Sequence, residues 1–131
     1  MKNKLWLIGL FSLLIMGKLS AAPQELECVN YFSKLEKPTA QSQFDTYTKV
    51  GECLKYLPTN RVLLKNIINT YRLIFQFNPS HFHLEPFMSF YIENQLIVDE
   101  AVRDVVLDEA ERQEFFLRLI TAQREFVEGN G

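Results

Sequence analysis

Apolar residues recur at helical spacing along nearly the whole chain, so the pattern predicts helices joined by short turns. Leu26, Val29, Phe32 (or Ser33), Leu35 and Glu36 outline a first helix. Pro23 is acceptable near its start, where backbone N–H groups lack helical partners anyway. Phe44, Tyr47, Val50, Leu54 and Leu57 outline a second helix, which Pro58 stops. Thr59 or Asn60 can cap a third, with Leu63, Leu64, Ile67, Ile68, Tyr71, Ile74 and Phe75 as its face. Asn78-Pro79-Ser80 signals the next turn.

Phe87, Tyr91, Asn94, Val98, Val102 and Val105 are spaced 4, 3, 4, 4 and 3, which keeps one seam in register. This predicts one fourth helix over 86–107, with Asn94 as the only polar residue in its seam. The seam would next reach Glu109 and Arg112, so a new helix begins, with Asp108 and Glu111 as a capping box. Phe116, Leu119, Ile120, Gln123, Phe126 and Val127 form its expected face, and Gly129-Asn130-Gly131 lets its end fray. No alternating strand of useful length and no internal repeat is present. The predicted fold class is all-α, a small five-helix bundle.

The start of the chain has a different character. Met1-Lys2-Asn3-Lys4 is basic, residues 5–17 are an apolar run broken only by Ser12, and Ser20-Ala21-Ala22 are small. Residues 1–22 therefore read as a cleaved signal peptide, leaving 23–131 as one helical domain. The thirteen-residue apolar run is short for a membrane anchor, which needs ~20 residues. The mature chain is then expected in the periplasm or outside the cell, without stable membrane insertion. Removing Lys2, Lys4 and Lys18 leaves 11 basic residues against 16 acidic ones, a net charge of −5. That balance argues against nucleic-acid binding through a basic surface.

Cys28 and Cys53 are the only cysteines, and in an oxidising compartment such a pair becomes a disulfide. On two antiparallel helices their midpoint falls at 40.5, inside Lys37-Pro38-Thr39-Ala40-Gln41-Ser42. Ser42 with Asp45 resembles a capping box at the same place, so the bridge would link helices one and two around that turn.

Candidate chemistry is sparse. His81 and His83, with Glu85, are the one arrangement with metal-ligand character. An extended loop would point both imidazoles the same way, but further ligands are missing, so no metal and no cofactor is expected. The two histidines read as loop or capping residues, with a pH-sensitive element as the functional alternative. Residues 71–91 hold Tyr71, Phe75, Phe77, Phe82, Phe87, Phe90 and Tyr91, with Met88 among them. A packed aromatic core is the default reading, and Phe77 and Phe82 are the residues expected at the surface if a groove exists. Residues 93–114 hold eight acids opposed only by Arg103 and Arg112. Glu100, Asp104 and Asp108 would stack at i, i+4 on one helical face, either solvated or offered to a basic partner.

No nucleophile elbow, phosphate loop or zinc-protease motif occurs, so the chain is not expected to be an enzyme. The leading expectation is an exported, protein-binding helical protein: an immunity or inhibitor protein, or an accessory subunit of an envelope or secretion machine. Its expected contact residues are Asp104, Asp108, Glu111, Phe77 and Phe82, facing a partner with a basic surface; homodimerisation through the aromatic surface is an equal possibility. The alternative is a stress chaperone or apolar-ligand carrier using the 71–91 region. A hydrolase using carboxylates that match no motif is a third reading.

Overall fold

A computed structural model describes residues 22–34, 39–78 and 80–130. The leader reading covers residues 1–22, of which all but Ala22 lie outside the described residues. Among the described residues the chain forms six α-helices, two 3-10 helices and no strand. The α-helices are α1 (Pro23–Ser33), α2 (Ala40–Cys53), α3 (Arg61–Phe75), α4 (Met88–Glu93), α5 (Gln95–Val105) and α6 (Glu109–Asn130). The 3-10 segments are Leu54–Tyr56 and Phe82–Phe87. Six helices replace the expected five because the fourth is broken at Asn94.

The break has a local cause. Asn94 leaves helical geometry at φ −135° and ψ 40°. Its side-chain amide donates to the Phe90 carbonyl at 3.0 Å, the acceptor a continuing helix would have given to the Asn94 backbone. The Asn94 N–H turns to the Tyr91 carbonyl, and the Asn94 carbonyl accepts the first bond of α5 from Val98. Phe87, Tyr91, Val98 and Val102 are still buried, as the seam demands, but on the 3-10 segment, α4 and α5 in turn.

Helix starts follow side-chain capping. α2 is capped by Thr39, three residues before the expected Ser42. Thr39 accepts from the Ser42 N–H at 3.1 Å, and the Ser42 hydroxyl accepts from the Thr39 N–H at 2.7 Å. Asp45 instead accepts from Gln41. The inward face of α2 is Thr46, Val50 and Cys53, continued by Leu57, while Phe44 is turned outward. Asn60 caps α3 through the Leu63 N–H at 2.9 Å. Asp108 caps α6 through the Glu111 N–H at 2.9 Å. The return half of that second capping box is replaced by an ion pair, because Glu111 meets Arg72.

The Cys28–Cys53 disulfide joins α1 to the end of α2, with Cα atoms 6.0 Å apart. Lys49 pairs with Glu27 at 3.1 Å and Tyr56 donates to Gln24 at 3.3 Å, so the two helices run antiparallel, as the cysteine spacing implied. α3 is central, packed between α1 and α5. The 3-10 helix 82–87 is held against α2, α4 and α6. Buried side chains from all six helices form one cluster.

The inward face of α6 differs from expectation. Phe115, Leu119 and Ala122 are buried and Phe126 packs against the core. Phe116 is half-buried, whereas Ile120 and Val127 are 57% and 53% exposed. The helix is turned by about one residue because Phe115 meets the Phe75 ring of α3, at 5.1 Å between centroids. Among the described residues, no helix is long and apolar enough to cross a membrane.

Candidate functional site

The three acids expected to face a partner all have roles within the chain. Asp104 pairs with Lys65 of α3 at 3.2 Å. Asp108 lies beyond the end of α5, so it does not continue the Glu100–Asp104 stack; its carboxylate caps α6. Glu111 pairs with Arg72 at 3.4 Å. Beside it Arg118 pairs with Glu114 at 2.9 Å and lies over the Phe75 ring at 4.7 Å. These contacts tie α5 and α6 to α3 and lower the free negative charge of the acidic stretch. Asp99 on α5 has one carboxylate oxygen buried without a hydrogen bond, and burial raises its pKa against the opposing pull of Arg103.

The aromatic stretch divides into core and surface. Tyr71, Phe87, Met88, Phe90 and Tyr91 are buried. Phe77 and Phe82 are 55% and 57% exposed. Phe82 is nevertheless fixed in place. Its ring stacks on Tyr47 of α2 at 4.7 Å between centroids, with the planes 15° apart.

The local backbone explains this placement. The Pro86 ring would clash with the carbonyl four residues back in an α-helix, and residues 82–87 wind as a 3-10 helix, with three residues per turn. Positions three apart then share an edge. Leu84 and Phe87 point into the core, whereas Phe82 and Glu85 lie together on the outer edge. Glu85 lies near the Tyr47 hydroxyl; burial raises the phenol's pKa, and the Glu85 carboxylate adds to the rise.

Beneath this edge lies a polar support. The Tyr71 hydroxyl donates to the His83 carbonyl at 2.8 Å, and burial raises its pKa strongly. The Asn78 amide donates to Gln43 at 3.1 Å and meets His83 Nε2 at 3.1 Å. Burial lowers the His83 pKa, and a neutral ring is the form that can accept from Asn78 at Nε2. His81 and His83 therefore do not form a pair of parallel ligands. His83 is bound to the turn, while His81 borders the outer cleft, because the segment enters a 3-10 helix instead of an extended loop. Among the described residues, no group of three or more His, Cys, Asp or Glu is placed to hold a metal ion.

The cleft has a volume of about 570 Å³. One wall is Ser80, His81, Phe82 and Glu85; the other is Ala122, Glu125, Phe126 and Gly129 of α6. The second wall is one helical stripe, at spacings of 3, 1 and 3. Phe77 does not line the cleft. The periodicity of α6 pointed to Phe126, but the sequence reading missed Glu125 and Gly129. Their signal is the regular 122, 125–126, 129 spacing, a stripe beside the expected face of Phe116, Leu119, Ile120, Gln123, Phe126 and Val127.

Compared with family models, curated proteins and solved structures, the chain matches none of them at a significant level.

Proposed function

We propose that this chain is a small exported helical protein that works by contacting another protein, as an inhibitor, an immunity protein or an accessory subunit of an envelope assembly. The observation that carries the reading is Phe82: a large aromatic side chain more than half exposed, yet held by its stack on Tyr47 at the mouth of a cleft. An aromatic side chain immobilised before contact loses little entropy on binding and contributes strongly at the centre of an interface. The internal engagement of Asp104, Asp108 and Glu111 moves the proposed contact from the acidic stretch to this face. The disulfide agrees with folding in an oxidising compartment.

Photo-crosslinking in the producing cell tests the reading. A benzoylphenylalanine at position 82 should give one discrete protein adduct. The same group at Phe44, an exposed phenylalanine that does not border the cleft, should give none. Equal labelling from both positions, or none from either, overturns the proposal.

A further inference from the structure

The charge and shape of the cleft identify what it takes. Glu85 and Glu125 place a carboxylate on each wall, and among the described residues neither lysine nor arginine lines it. Phe82 and Phe126 place an aromatic ring on each wall beside those acids. Glu85 is exposed at the cleft, and a carboxylate accepts several hydrogen bonds, so it has acceptor capacity for a donor there. Ala122 and Gly129 keep the α6 wall low. We infer that the cleft is a guanidinium site, filled by an arginine side chain. The planar, delocalised guanidinium is the cation suited to this arrangement: it lies against a ring with its face and donates to carboxylates with its edge. The ammonium of lysine makes the second contact as a point charge and lacks the flat face. A cleft of about 570 Å³ holds the side chain together with neighbouring backbone, as when a partner presents a short segment. That the arginine comes from a partner rests on the protein-contact reading above; the guanidinium site itself does not.

Titration of the full exported chain with N-acetyl-arginine amide, followed by NMR, is the test. Saturable shifts should centre on Phe82, Glu85, Glu125 and Phe126, with a millimolar Kd. N-acetyl-citrulline amide, the same shape without charge, should bind at least about tenfold more weakly. The pair Glu85→Gln and Glu125→Gln should weaken arginine binding by about tenfold. Gly129→Leu, which adds bulk to the α6 wall, should also weaken it by about tenfold; a Cβ added at Gly129 enters open space, so the substitution starts without a clash. Equal binding of citrulline, shifts centred elsewhere, or unchanged binding in the paired glutamine variant overturns the site. Arginine binding here without a crosslink from position 82 keeps the site and removes the protein partner. A crosslink unaffected by the paired glutamine variant and by Gly129→Leu does the reverse.

Discussion

Breaking the Cys28–Cys53 bridge should cost a large part of the stability of this protein. The cysteines are 25 positions apart. Closing a loop of that length removes about 12 cal/mol/K of chain entropy from the unfolded state, or about 3.5 kcal/mol at 25 °C. Small domains have only about 5–15 kcal/mol in total, so the bridge is a major share. With an unfolding entropy of about 2.1 cal/mol/K per residue over about 110 residues, the midpoint should fall by roughly 15 °C. The clean comparison is the wild-type chain oxidised and reduced, because both contain the same side-chain atoms. A Cys28→Ala, Cys53→Ala chain should lose somewhat more, since both positions are buried at 4% and 0% exposure and the sulfurs are removed from the core. Urea denaturation followed by circular dichroism gives both differences, and thiol titration of the native protein should find no free sulfhydryl. An oxidised–reduced difference below about 1 kcal/mol would refute the loop-closure argument.

Three further expectations test the helices and the polar support. Asp108→Ala should cost about 1 kcal/mol by removing the cap of α6, and Asp108→Asn much less, read from denaturation midpoints. Phe115→Ala should cost about 3–5 kcal/mol, whereas Ile120→Ala should stay within about 0.5 kcal/mol; the reverse order would mean that α6 presents its other stripe to the core. Burial lowers the His83 pKa in the folded chain, so the unfolded chain takes up the proton first as the solution is acidified. Stability from this group is therefore complete above about pH 6.5, the unfolded value, and is lost as pH falls through the lower folded value. The difference in stability between wild type and His83→Gln, measured from pH 7.5 to about 5, should shrink as pH falls; a constant difference would remove His83 from the pH response.

Much of the helical framework was legible because it rests on local rules. α3 has one broad apolar face, and every residue of it predicted from 63 to 74 is buried. The antiparallel pairing of α1 and α2 followed from two cysteines and a midpoint. Asn94 was visible as the lone polar member of a seam, but its consequence was not. A polar residue in an apolar seam can be solvated, paired across helices or, as here, turned back on the Phe90 carbonyl to break the helix. α6 was ambiguous for another reason. Phe115 and Phe116, Leu119 and Ile120, and Phe126 and Val127 are adjacent pairs, so two stripes about 100° apart both satisfy a period of 3.6. Contact with Phe75 settles which one turns inward.

What the sequence by itself determined was composition-bound and short-ranged: helices instead of strands, most of their limits, one covalent link, and the presence of aromatic and acidic stretches. Tertiary structure alone decided which of those side chains were left facing outward. Asp104 and Glu111 were withdrawn by Lys65 and Arg72, cations 39 positions away in each case, and no local pattern encodes such partners. The cleft arose because a proline-tightened turn set Phe82 and Glu85 opposite a stripe of α6 some 40 residues later. Periodicity fixes the face on which a residue lies along its own helix; only packing fixes what that face meets.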